Sequence, residues 1–118
     1  MSKALLYHNP RWGKSREAVK LLNDNNIDFN IVEYLKNPLS IDEILVLANK
    51  LGKRPKDFIR TSEKDFKDNN IKYLVNNDRA LAKAMEGLPK IMERPILVVG
   101  ENAVIGRPPE NILKLLDK

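Results

Sequence analysis

Residues 7–18, YHNPRWGKSREA, hold the densest set of chemically useful groups in the chain. The segment reads as a strand end, a tight polar loop and the first turn of a helix. Gly13-Lys14-Ser15 matches the tail of a phosphate-binding P-loop, but that pattern needs a glycine where His8 stands, so a nucleotide cradle is not supported. What remains is a helix starting near Gly13 or Lys14. Its N–H groups and the positive end of its dipole favour an anion, with Lys14, Ser15 and Arg16 close by. A solvated helix start fits the same residues. His8 offers a proton shuttle or a packed, capping imidazole. Trp12, the only tryptophan, offers a stacking platform or a gap-filler.

Three arginines stand in settings that restrain them. Arg94 precedes Pro95 and Arg107 precedes Pro108, so both backbones are held extended. Arg60 comes just before Thr61-Ser62, where a short helix is expected to begin. Guanidiniums that converge can bind a tetrahedral oxyanion through paired hydrogen bonds. On spacing alone, three surface arginines in ordinary salt bridges are the simpler reading.

The bulk composition removes several classes of function. The chain has no cysteine, which excludes disulfides, thiolate metal sites and any thiol chemistry by this polypeptide alone. A single histidine argues against a zinc site, and no metal is expected. Net charge is +5, but the basic residues are scattered, with no dense arm or RNA-binding aromatic motif, so nucleic acid is not an expected partner. No apolar run reaches the ~18–20 residues of a membrane span, and MSKALLYHN lacks a signal pattern. The expected location is therefore the cytoplasm.

The elements that must position these groups follow from periodicity. KALLY (3–7) reads as a buried strand, and Ala18, Val19, Leu21 and Leu22 as the apolar face of a helix over about 14–25. Asn25 and Asn26 suit its end. FNIVEY (29–34) alternates as a second strand, completing a parallel βαβ unit. Ser40 and Glu43 form a capping box before Ile41, Ile44, Leu45 and Ala48, and Gly52 closes that helix. Asp78 is expected to cap another helix through Glu86, ended by Gly87. A turn follows at Pro89. ILVV (96–99) and AVI (103–105) flank Gly100-Glu101-Asn102 as a hairpin with a three-residue turn. Pro108 and Pro109 open a terminal helix carrying Ile112, Leu113, Leu115 and Leu116. The order βαβ, helices, ββα is that of a thioredoxin-like fold: one α/β domain over 1–118, a four-stranded mixed sheet, and a helical insertion at about 36–92. In such a fold the third strand starts with a cis-proline facing the first loop, the place of Pro95.

YHNPRWGKSRE, EYLKNPLSIDE, FIRTSEKDFK, ERPILVV and IGRPPENIL together resemble the glutaredoxin-linked arsenate reductases and their small bacterial relatives, nearly end to end. The redox-sensing regulator Spx shares the fold and the RPI turn but typically lacks the arginine of the last motif. The resemblance implies a cysteine in the first loop, whose thiolate, favoured by the helix N-terminus, attacks arsenate. It implies that Arg60, Arg94 and Arg107 hold the oxyanion, with His8 and Ser15 near the nucleophile. Glutathione and glutaredoxin would complete the reduction.

Trp12 occupies the place of that cysteine. An indole has no ionisable nucleophile, and its N–H only donates. Three readings follow. The chain keeps a site for arsenate, phosphate or sulfate, lined by Arg60, Arg94, Arg107 and Lys14, but has lost redox turnover and serves sensing or regulation. Or it is a protein-interaction module of the Spx type, with Trp12 as contact. Or it is an arsenate reductase whose cysteine has been replaced. No bound cofactor is expected; glutathione and glutaredoxin, or another protein partner, enter only with the corresponding reading.

Overall fold

The structure, a computed structural model, describes residues 4–116. Lys3, expected in the first strand, and the Leu116 side chain lie outside the described residues. The chain divides into two compact units. One contains the residues up to Tyr34 and those from Arg94 onward; the other is Leu35–Glu93.

The first unit is built on a four-stranded sheet of order β2-β1-β3-β4, with strands β1 (Ala4–Tyr7), β2 (Phe29–Val32), β3 (Ile96–Val99) and β4 (Asn102–Ile105). β1 runs parallel to β2 and antiparallel to β3, and β3 runs antiparallel to β4. The mixed α/β sheet expected from the sequence is therefore present. Helix α1 (Gly13–Asp24) crosses between the parallel strands. It buries Ala18 and Leu22 with Ala4, Leu6, Leu97 and Ile112, while Val19 and Leu21 flank that core. Removing these side chains from water supplies roughly 1.5–3 kcal/mol for each large one. Asn26 takes the left-handed conformation (φ 56°) just past the helix end, as the Asn pair suggested.

Three details of this unit differ from the sequence reading. β2 stops at Val32, and Ile31 is 46% exposed, so the expected alternation through Tyr34 does not hold. β2 is an edge strand with β1 as its ladder partner, and the chain leaves the ladder at Glu33 to turn at Tyr34. The hairpin turn has two residues, because Asn102 pairs with Val99. Gly100, at φ 61°, supplies the positive φ that such a turn needs at its first central position. Helix α5 spans Asn111–Leu116, so Pro108 and Pro109 lie in the preceding turn. The Asn111 and Ile112 N–H groups donate to the Pro108 and Pro109 carbonyls (both 3.0 Å), while the Asn111 side-chain amide donates to the Ile105 and Arg107 carbonyls.

The second unit packs α2 (Ile41–Leu51) against α4 (Asp78–Gly87), with the short α3 (Lys64–Asp68) and three 3-10 turns between and after them. Ile44, Leu47, Ala48, Phe58, Leu81, Ala82 and Met85 are among its buried residues. The Ser40–Glu43 capping box is present, with the Glu43 N–H donating to Ser40 Oγ (3.2 Å) and the Ser40 N–H to Glu43 Oε1 (3.0 Å). Gly52 ends α2 in the left-handed conformation. Two expected starts shift. Asn77, not Asp78, caps α4 by accepting the Ala80 N–H (3.0 Å), which leaves the Asp78 carboxylate to take Arg54 Nε (3.0 Å). α3 begins at Lys64 rather than at Thr61-Ser62. The Arg60 N–H donates to the Ile91 carbonyl (2.6 Å) and the Glu93 N–H to Phe58 (2.8 Å), a bridged extended segment that delays the helix. No helix among the described residues is long and apolar enough to cross a membrane.

Candidate functional site

The loop between β1 and α1 is fixed from inside. The His8 N–H donates to the Val32 carbonyl (2.9 Å), extending the β1–β2 pairing one residue into the loop. Asn9 is buried and organises the turn: its Oδ1 accepts the Arg11 N–H (3.1 Å), its carbonyl the Trp12 N–H (3.1 Å), and its own N–H donates to the buried Ser15 Oγ (3.4 Å). The sequence reading of the loop gave Asn9 no role, although Asn-Pro before a helix is a turn signal. Ser15, expected beside a reacting group, ties the loop to the first turn of α1.

Trp12 is the N-cap residue of α1, with extended backbone (φ −106°, ψ 130°) and no side-chain cap. No acidic residue lies in the first helical turn. An N-terminus with no side-chain cap and no acid in its first turn leaves the helix dipole available to an external anion. Lys14 is exposed and pairs with Glu17 at 3.6 Å, a contact open to solvent. Arg16 Nη1 donates to the Pro10 carbonyl (3.1 Å), closing the other side of the loop.

The three arginines have separate fates. Arg94, in the segment entering β3, is 2% exposed, and its Cζ lies 3.9 Å from the centroid of the Trp12 ring. The indole thus stacks on a buried guanidinium, an attraction between the cation and the electron-rich ring face. Stacking engages the face of the guanidinium and not the plane of its N–H fork. The Arg94–Pro95 and Arg107–Pro108 bonds are both cis. Arg107 is in the same unit as Arg94, exposed on the segment after β4. Arg60 is in the Leu35–Glu93 unit and is held by two carboxylates, Nε to Glu63 at 3.3 Å and Nη1 to Glu93 at 3.2 Å. These side chains are only 15–23% exposed, so the pairing is partly desolvated.

Gly106, which the sequence reading passed over, holds Arg107's segment close to Pro95. Its N–H donates to the Pro95 carbonyl (2.8 Å), and a Cβ there would meet Pro95 Cγ at 3.0 Å and Ile112 Cδ1 at 3.1 Å. Glycine directly before an Arg-Pro pair was the available signal.

His8 is 6% exposed, and its Nδ1 has no hydrogen-bond partner among the described residues. Burial pushes its pKa below the ordinary imidazole value; Glu33 opposes that shift and Arg16 adds to it. A neutral imidazole follows at physiological pH. An open groove of about 320 Å³ lies beside α1, lined by Lys14, Glu17, Leu21, Pro108, Pro109 and Glu110. With two carboxylates against one ammonium it is not suited to an anion. No group of three or more metal-ligating side chains occurs among the described residues.

Known proteins give the same architecture. The chain is 38% identical over 112 residues to the uncharacterised protein YfgD of Escherichia coli K12, covering 94% of each chain. It is 37% identical over 113 residues to an arsenate reductase of Haemophilus influenzae, covering 95% of this chain and 97% of the relative. The solved arsenate reductase from Vibrio cholerae superimposes with a TM-score of 0.90 at 36% identity, covering 95% of this chain and 96% of that one. Its fold is thus that of the thioredoxin-like arsenate reductases. The model of the ArsC family matches residues 7–115, and the chain belongs to that family.

Proposed function

We propose that this ArsC-family chain binds a small tetrahedral oxyanion, arsenate, phosphate or sulfate, without reducing it. The observation that carries the reading is the Trp12 indole stacked at 3.9 Å on buried Arg94, at the uncapped start of α1, in a chain with no cysteine. Arg94 and Arg107, with the first N–H groups of α1, supply the positive charge for such a ligand. Arg60 is left out of the proposed site, because an anion there would compete with Glu63 and Glu93. Lys14, turned to Glu17, contributes field rather than a firm contact.

Reduction by the family's thiolate route needs a sulfur nucleophile, which neither Trp12 nor any other residue provides. The protein is therefore assigned to sensing or sequestration, in the cytoplasm. A second reading, a protein-interaction module, is favoured by one observation: Trp12 keeps 42% of its surface exposed beside the exposed Arg11. Exposed tryptophan and arginine are the residue types that dominate binding hot spots.

The test is an arsenate-reduction assay with glutathione and glutaredoxin. The unaltered protein is expected to form no arsenite. Trp12→Cys places a thiol at the helix N-terminus beside Arg94, which lowers its pKa below the ordinary ~8.5 and is expected to give measurable turnover. Arsenite from the unaltered protein would refute the assignment. An inert Trp12→Cys thiol of ordinary pKa would shift it to the interaction module.

A further inference from the structure

The groove beside α1 has a composition of its own. Lys14, Glu17 and Leu21 follow one another at spacings of three and four, so they form one stripe about 10 Å long on the helix surface. Pro108, Pro109 and Glu110 make the facing wall. That wall is preformed: the Asn111 and Ile112 N–H groups donate to the Pro108 and Pro109 carbonyls, and the Asn111 side-chain amide to the Ile105 and Arg107 carbonyls. Leu21 and the two prolines give about 320 Å³ of open space an apolar lining, and Glu17 and Glu110 give it carboxylates. Glu110 forms no ion pair among the described residues. Glu17 pairs with Lys14 at 3.6 Å, and both side chains are more than half exposed, so the contact is worth little in water.

We propose that this groove is a docking site for an arginine side chain presented by a partner protein. The inference does not depend on the oxyanion reading. Three features select the occupant. Two carboxylates against one ammonium favour a cation. The apolar lining suits a cation on an aliphatic stem, which lies along Leu21 and the prolines while its head stays at the wet, acidic rim. Of the two such side chains, arginine is the less strongly hydrated, and its planar fork binds a carboxylate through two N–H groups at once. The groove is open rather than enclosed, which suits a side chain delivered by a folded partner. A free small cation would lose its translational freedom for burial on one side only. The guanidinium displaces Lys14 from Glu17 at small cost, because that pair is exposed. A partner seated here would lie against the first turn of α1 and the segment after Arg107, two stretches that the proposed oxyanion site also uses.

Chemical-shift mapping on the isotope-labelled full chain tests the assignment. The probes are a blocked tripeptide with a central arginine, the same peptide with citrulline, which keeps the stem and loses the charge, and free butylguanidinium. The arginine peptide is expected to move the Lys14, Glu17, Leu21 and Glu110 amide signals with a Kd of about 1 mM, the weak binding of a single side chain. The citrulline peptide is expected to bind about tenfold more weakly. Glu110→Gln changes an exposed side chain and should weaken the arginine peptide about two- to tenfold, while Glu110→Lys should abolish its binding. Equal binding of the arginine and citrulline peptides, or an affinity unchanged in Glu110→Gln, would overturn the proposal. Shifts absent from the groove, or scattered over the chain, would overturn it too. Micromolar binding of butylguanidinium alone would overturn it in favour of a pocket for a free small cation.

Discussion

Helices α1 and α2 begin in opposite ways. α2 opens with Ser40 and Glu43 exchanging hydrogen bonds and carries Asp42 and Glu43 in its first turn, so its exposed N–H groups and dipole are answered within the chain. α1 opens with Trp12, no side-chain cap and no acid in its first turn. The arginines repeat the contrast. Arg60 pairs with Glu63 and Glu93 at the surface of its unit, whereas Arg94 is buried with the Trp12 ring 3.9 Å from its Cζ. Where the molecule satisfies its own electrostatics, residues serve the fold. At α1, where neither a side-chain cap nor a first-turn acid answers the helix N-terminus, the proposed oxyanion would do so.

The comparison can be broken in order of effect. Arg60→Met removes the cation that two partly buried carboxylates share, and should destabilise the protein by about 1–3 kcal/mol. A lower urea midpoint with unchanged oxyanion affinity is the expected pattern; lost affinity at normal stability would put Arg60 back at the anion. Ser40→Ala should cost about 1 kcal/mol through the lost cap. The smallest effect concerns His8. Its folded pKa is lowered, so the unfolded chain binds the proton more readily. The contribution is complete above the unfolded value near 6.5 and is lost as pH falls through the lower folded value. Thermal melts of the unaltered protein should therefore drop in mild acid relative to His8→Phe; parallel pH profiles would show that the imidazole is not held neutral.

Much of the fold was legible because local chemistry repeats in tertiary structure. The Ser40–Glu43 box, Gly52, and the Asn25-Asn26 end of α1 are short-range signals that nothing distant overrides. The two-residue hairpin turn and the early end of β2 were not legible. Register at Val99–Asn102 and the exposure of Ile31 are set by neighbouring strands rather than by the segment itself. At the site, the residue types in the first loop and the two Arg-Pro pairs could be read directly. The stack of Trp12 on Arg94 could not, because 82 positions separate them and only the sheet brings β1's loop and the start of β3 together. The pairing of Arg60 with Glu93 was hidden for the same reason, through the Ile59–Met92 bridge.

The central claim is that Arg94 is the anion's anchor, and calorimetric titration of arsenate or phosphate into the unaltered protein and Arg94→Met tests it most directly. Methionine keeps an apolar stem beneath Trp12, so packing is retained while the guanidinium is lost. The account predicts binding by the unaltered protein and a loss of about 1.5–3 kcal/mol, roughly ten- to 150-fold, in the variant. Equal affinities, or no binding heat from the unaltered protein in either anion, would contradict it.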